Sequence, residues 1–322
     1  MNTGRQALEN VGIKVNKYYS SEIKPYAIQL TQHHFPDTIQ VGDVTKWREW
    51  DIDWKTIDLV LSGSPCQDLS AAGKRAGING KKSSLFFVFV EILEHIKSLN
   101  PNVLFLQENV GSASKLDVGI MSRALGVYPV KINSSLVTAQ LRDRYYWSNI
   151  KTKETMFDIV TDIPQPKDKG IMFKDIITSG EVERDKSLCL IENLYHSFCY
   201  KDELSENAQR FLKTREKFGV PIIYENKTYQ INPSKESNGI QPYIQNRIYD
   251  IKGKAPCLTK EKAHFLKYEN EIVRTVNKVE MCRLQGFPDD YCDILTTAKA
   301  GSLLGDGWTL PIIEHIFNFI KK

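Results

Sequence analysis

"TIDLVLSGSPCQDLS" (residues 56–70) is apolar at Ile57 and from Leu59 to Leu61, breaks at Gly63 and Pro65, and leaves Cys66 just past the break. The run is too short for a helix and is bounded by turn residues, so it reads as a buried strand. A cysteine directly after such a strand is either a packed thiol or a nucleophile held at the mouth of a sheet. The next residues favour the nucleophile. "AAGKRAGINGKKSS" (71–84) carries Lys74, Arg75, Lys81 and Lys82 and no acidic residue. A basic run beside a candidate nucleophile suits a polyanionic substrate.

Residues 1–150 alternate between strand and helix patterns. Strands are predicted at 13–23, 37–44, 56–65, 101–110, 128–137 and 142–150. Helices are predicted from Pro25, from about residue 84 with Ser83 or Ser84 as N-cap, and in "KLDVGIMSRALG" (115–126), closed by Gly126. Near-continuous apolar strands between helices predict a parallel sheet covered on both faces. Ligands then sit beyond the carboxyl ends of the strands, where Glu22, Asp43, Cys66 and Glu108 are expected. The stretch from about 151 to 275 is more polar and lacks this rhythm, so it reads as a smaller second domain. The tail "GSLLGDGWTLPIIEHIFNFIKK" (301–322) ends in an amphipathic helix expected to return to the first domain.

Bulk properties narrow the class. The chain has 322 residues, 41% hydrophobic and 25% charged, with a net charge of +4. No apolar run approaches the roughly 20 residues of a membrane span, and the N-terminus has no signal core. The six cysteines form no C-x-x-C pair, and the six histidines fall into no ligand pattern. The expectation is a cytoplasmic protein with reduced thiols, no membrane association and no metal.

Four blocks then come in order: "SGSPCQ" (62–67), "LQENV" (106–110), "QLRDRYYW" (140–147) and "EMCRLQGFPDDY" (280–291). Together they resemble the signature blocks of the S-adenosylmethionine-dependent cytosine-C5 DNA methyltransferases, bacterial and phage type and similar to the animal de novo branch. "NRIYDIKGKAPCLT" (246–259) also resembles a stretch of bacterial members. The resemblance implies an α/β fold: a Rossmann-like class I methyltransferase sheet with a second, smaller target-recognition domain. The expected division is 1–160 with 295–322 for the catalytic domain and 161–294 for target recognition.

The chemistry explains why these residue types belong together. Cytosine C5 is a poor nucleophile. Addition of a thiolate at C6 makes C5 reactive toward a sulfonium methyl group; a base then removes the C5 proton and the thiolate leaves. Cys66 is the candidate nucleophile. Glu108 is the candidate acid toward N3 and the exocyclic amine. Arg142 and Arg144 are candidate cations toward the base O2 and phosphate, with Arg144 the base-side contact by resemblance. The base must leave the duplex to be reached. Gln67, Ser70, Lys74, Arg75, Lys81, Asn109 and Gln140 form the expected DNA-contacting set. For S-adenosylmethionine the resemblance implies Thr3, Glu22, Ile23, Asp43, Val44, Pro65, Asp306, Gly307 and Trp308. Within that set Glu22 suits the ribose hydroxyls, Asp43 the adenine amine, and Trp308 a covering ring.

The expected partner is double-stranded DNA, with a cognate restriction endonuclease in the same system. Monomer and homodimer both remain open. The chain departs from the family where an apolar strand and Phe-Asp-Gly usually open the fold. The expectation is a natural start about 10 residues upstream of Met1, one strand's length. Asp306 stands where many bacterial members carry Asn. Two other readings stay beside the first. One is a tRNA cytosine-C5 methyltransferase, whose usual Cys-Phe-Thr triplet is absent here. The other is a catalytically impaired DNA-binding homologue, given the missing strand. Specificity is expected in about 160–275, where Lys227, Lys252, Lys254, Lys260 and Lys262 are basic candidates.

Overall fold

The computed structural model describes residues 1–64, 85–178, 187–188 and 276–320. Its elements in chain order are α1 (Thr3–Asn10), β1 (Tyr19–Ser20), α2 (Pro25–His34), β2 (Ile39–Gln40), β3 (Leu59–Gly63), α3 (Leu85–Leu99), β4 (Leu104–Val110), α4 (Lys115–Leu125) and β5 (Val130–Asn133). Next come β6 (Gln140–Leu141), β7 (Asp143–Ser148), β8 (Thr152–Glu154), β9 (Ile159–Thr161), β10 (Ser187–Leu188), α5 (Lys278–Gln285), α6 (Thr297–Asp306) and α7 (Leu310–Phe317).

Two compact units divide these elements. The first holds Met1–Asn133, Asp143–Lys167 and Leu310–Lys322; the second holds Ser134–Arg142 and Asp168–Thr309. The expected division put the boundaries at 160/161 and 294/295 and left 134–142 in the first domain. The chain instead crosses to the second unit twice, the first time briefly between β5 and β7.

In the first unit four strands form one sheet in the order β3-β4-β7-β5. β3 and β4 are parallel, as α3 between them requires; β7 runs antiparallel to both β4 and β5. The sheet is therefore mixed, where a parallel sheet was expected. The reason is length: Ser134–Arg142, between β5 and β7, is shorter than the dozen or so residues a parallel crossover needs. β1 and β2 form a separate parallel pair. The strands expected over 13–23 and 37–44 shrink to two residues each, because "IKVNK" (13–17) finds no partner strand among the described residues. β4 is buried along nearly its whole length, whereas no residue of β3 is fully buried.

The core follows from helix periodicity. Phe86, Phe89, Leu93 and Ile96 make one stripe on α3 and pack with Phe105 and Val110 of β4, Met121 and Leu125 of α4, and Trp147 of β7. Trp147 Nε1 donates to Ser122 Oγ at 2.9 Å, so its indole carries no unsatisfied donor into the core. α4 begins at an N-cap, Ser114 accepting from Asp117 N, and ends at Gly126 with φ 72°, a left-handed position that favours glycine. The tail helix α7 packs on α1, and Asn10 Nδ2 donates to Glu314 Oε1 at 2.5 Å, so the C-terminal helix does return to the first unit.

Leu93 is fully buried and Leu99, on the same helix, is 49% exposed. Leu93→Ala is expected to cost about 2–5 kcal/mol in urea unfolding, and Leu99→Ala less than about 0.5 kcal/mol. Equal losses would contradict this placement of α3.

Candidate active site

Three consecutive polar residues, Gln107, Glu108 and Asn109, sit inside β4, and Glu108 is not at its end as expected. Strand alternation sends Gln107 and Asn109 to one face and Glu108 to the other. Glu108 lies opposite Gly63 on β3 and Tyr146 on β7. Arg144 sits two residues along β7, opposite Val110, within diagonal reach of Glu108. Its Nε meets Glu108 Oε1 at 2.8 Å, with the two side chains only 12% and 10% exposed. Arg144 Nη1 also donates to the Asp143 carbonyl at 2.8 Å, which fixes the guanidinium's plane.

The close approach of β4 and β7 is set by a glycine. Gly111 N donates to Asp143 O at 3.0 Å. A Cβ at Gly111 would lie 2.6 Å from Asp143 Cβ and 2.8 Å from its carbonyl oxygen. Only glycine lets the strands meet there, one residue before Arg144.

On the other face, Gln107 Nε2 donates to Ser64 Oγ at 2.9 Å and Asn109 Nδ2 donates to the same oxygen at 3.1 Å. All three side chains are buried. Neither Gln107 nor Ser64 was singled out in the sequence, although carboxamides on both sides of a strand carboxylate were the available signal.

Past β1 and β2 lie the acidic residues expected at the cofactor. Glu22 Oε1 accepts from Ile23 N at 2.8 Å and Lys24 N at 2.9 Å, ordering the turn into α2. Ile23 stands 71% exposed beside it. Asp43 Oδ1 accepts from Thr45 N at 2.9 Å and Thr45 Oγ1 at 2.8 Å, capping the 3-10 turn Val44–Glu49. The Thr45 backbone N–H, then its hydroxyl, hold the Asp43 carboxyl below the usual aspartate range, so it stays an acceptor. Val44 is half-buried. Thr3, by contrast, is 3% exposed at the start of α1. A Cβ on the adjacent Gly4 would collide with Leu61 Cδ1 of β3, so α1 packs directly on that strand.

The second unit contains the remaining candidates. Arg142 is 3% exposed and its Nη2 donates to the carbonyls of Gly305 at 3.1 Å and Gly307 at 2.8 Å. Gln140 is fully buried and donates to Leu284 O at 2.7 Å and Gln285 Oε1 at 3.2 Å. Thr309 Oγ1 donates to Gln285 Oε1 at 2.9 Å, and Gln285 Nε2 donates to Leu304 O. Asp306 is exposed; Gly307 and Trp308 are half-buried. Burial withdraws Gln140 and Asn109 from the surface that DNA was expected to meet: their amides serve interior partners. Pro65, Cys66, Gln67, Ser70, Lys74, Arg75 and Lys81 lie outside the described residues.

Among the described residues no group of His, Cys, Asp and Glu has the makings of a metal site, and no helix is long and apolar enough to cross a membrane.

Glu108 is thus paired to Arg144 and lies level with Gly63, where β3 ends. Residues 2–322 match the sequence profile of the C-5 cytosine-specific DNA methylases. The chain belongs to that family. It is 36% identical to the type II methyltransferase M.NlaIV of Neisseria lactamica, covering 97% of this chain and 93% of that protein. It is 27% identical to the type II methyltransferase M.HpaII of Haemophilus parainfluenzae, covering 96% and 84%.

The fold resembles two solved structures. One is a DNMT2 variant of Spodoptera frugiperda, with TM-score 0.55, 16% identity, and 99% and 96% of the two chains covered. The other is the methyltransferase EhMeth of Entamoeba histolytica, with TM-score 0.56, 16% identity, and the same coverage. This cytosine-C5 methylase therefore has the Rossmann-like class I methyltransferase fold, and its family takes its methyl group from S-adenosylmethionine.

For this methylase, Gly111→Ala is expected to push β7 from β4 and pull Arg144 from Glu108. Methyl incorporation into DNA should fall at least about tenfold while far-UV circular dichroism stays near wild type. Wild-type incorporation would show that the close approach does not govern the pair.

Proposed function

We propose that Cys66 is the nucleophile of this DNA cytosine-C5 methyltransferase and Glu108 the acid that acts with it. The observation that carries the reading is the parallel register of β3 and β4. Gly63, three residues before Cys66, pairs with Glu108. The strand leading to the thiol therefore ends level with the carboxylate.

A cytosine swung out of duplex DNA takes the Cys66 sulfur at C6, forming the C–S bond. The negative charge that develops toward N3 and the exocyclic amine is met there by a proton shared with Glu108; the electrons return to C5 as it takes up the methyl, and the proton is released from N3 as the thiolate leaves. Arg144 keeps the Glu108 carboxyl in place and faces the base O2. S-adenosylmethionine, when bound, supplies the electrophilic methyl that C5 takes up. Loss of the C5 proton to a base then sends the electron pair back into the ring, and the thiolate leaves. The residues past β1 and β2 fit the adenosine part of that cofactor. Glu22 and Asp43 each have one oxygen fixed by backbone N–H groups, and Ile23, next to Glu22 in the chain, offers an exposed apolar face. Glu22 is assigned to the ribose hydroxyls and Asp43 to the adenine amine. Val44 and Pro65 are proposed to complete the surroundings of the adenosine part; Thr3, buried in α1, is proposed to shape them without contact. Asp306, Gly307 and Trp308, in the second unit, are proposed as cofactor residues on their sequence resemblance alone.

Arg142 is proposed to act through the carbonyls of Gly305 and Gly307, not on the base. Gln67, Ser70, Lys74, Arg75 and Lys81 are proposed to hold the DNA backbone, a role that follows from charge and sequence position. The type II methyltransferases among its relatives favour a modification role beside a cognate endonuclease, in the cytoplasm. A single chain suffices for the chemistry as assigned.

Transfer of labelled methyl groups to duplex DNA and to tRNA, with wild type and Cys66→Ser, tests the reading. Label should enter DNA and not tRNA, and Cys66→Ser should fall to the assay background. Label in tRNA alone would replace the substrate, and an active Ser variant would remove Cys66 from the mechanism.

A further inference from the structure

We infer that Ser64 is a positioning residue for the nucleophile, locked by the carboxamides of Gln107 and Asn109; this rests on Cys66 being that nucleophile. The serine lies 9% exposed, just past the end of β3. Its oxygen accepts from two amide donors on β4, at 2.9 and 3.1 Å. A hydroxyl has two acceptor positions, so both are taken.

The amides are themselves fixed. Gln107 Nε2 also donates to the Glu108 carbonyl at 2.7 Å, and Asn109 Oδ1 accepts from Val110 N at 2.7 Å. Turning either amide over would set oxygen against oxygen or N–H against N–H, so each has one orientation that works. Among the described residues, Gln107 Oε1 is buried without a hydrogen-bond partner. A buried acceptor without a donor costs free energy. The side chain nonetheless keeps this orientation, with Nε2 on Ser64 and the Glu108 carbonyl.

The consequence is geometric. Gln107 and Asn109 flank the acid, and both hold the residue two positions before Cys66. Only Pro65 separates Ser64 from Cys66 in the chain, so the residue from which the chain continues to the nucleophile is itself held. One run of β4 therefore carries the acid on one face and on the other holds Ser64, two residues before Cys66. A covalent step at C6 with simultaneous proton placement at N3 needs both groups in place to within a fraction of an ångström.

The test measures single-turnover adduct formation on a duplex carrying 5-fluorocytosine at the target, with S-adenosylmethionine present, alongside KM for DNA and for the cofactor. Ser64→Ala should slow adduct formation about 10–100-fold, with both KM values within about threefold of wild type. Ser64→Thr, which keeps the hydroxyl, should recover most of the rate. Gln107→Met, which keeps the shape and removes one donor, should slow the step in the same way and serves where Ser64→Ala is unstable. Wild-type adduct rates in both Ser64→Ala and Gln107→Met would overturn the inference. So would losses confined to KM and melting temperature, or a Thr variant no better than Ala. Cys66→Ser, run in parallel, separates the two ideas. If it still forms adduct, the nucleophile assignment fails; if it is inert while Ser64→Ala is normal, only the positioning role fails.

Discussion

A carboxylate inside a strand, 8% exposed, is tolerable only with a partner close by. Glu108 has Arg144 at 2.8 Å, and much of the first unit follows from keeping them together. Arg144 must come from a strand beside β4, on the same face, within diagonal reach. That demands the antiparallel β4–β7 register and a backbone approach that only Gly111 allows. Removing either charge alone would leave the other stranded in a low-dielectric setting, which is why such a pair is held by structure on all sides.

The two faces of β4 divide the work. The Glu108 face carries charge, paired with Arg144; the Gln107 and Asn109 face carries neutral amides that reach across to the exit of β3. The antiparallel excursion from β5 through residues 134–142 and back into β7 places Arg142 and Arg144 in different units although they are two residues apart. Arg142 serves the carbonyls of residues 305 and 307, while Arg144 serves Glu108. Two arginines of one motif thus do different physical jobs, and one intervening residue decides which. Past β1 and β2, Glu22 and Asp43 are each held by the backbone N–H groups just after them in the chain. That local bonding keeps an oxygen fixed without enclosing the carboxylate.

Much of this was legible in the chain. α2, α3, β3, β4 and α4 fall where apolar period, Pro25 and Gly126 put them, because those signals are local and act on the backbone directly. Glu108 and Arg144 were singled out as well, the first as a carboxylate beside an apolar strand and the second by resemblance, but not their pairing. The direction of β7 was not legible, since strand patterning is the same for parallel and antiparallel neighbours. Nor was the burial of Gln140 and Asn109, because a polar side chain reads as exposed until its partner is known. Both find partners far away in the chain, Gln140 at Leu284 and Asn109 at Ser64.

The sequence by itself determined the family and, with it, the reaction class. The signature blocks are fixed by residue identity, and their order along the chain marks the family without any coordinates. Only the tertiary structure decided the pairings: Arg144 with Glu108, Arg142 with glycine carbonyls, and one serine between two carboxamides. Such pairings depend on strand register and on distances between segments remote in sequence, which no local pattern of residues encodes.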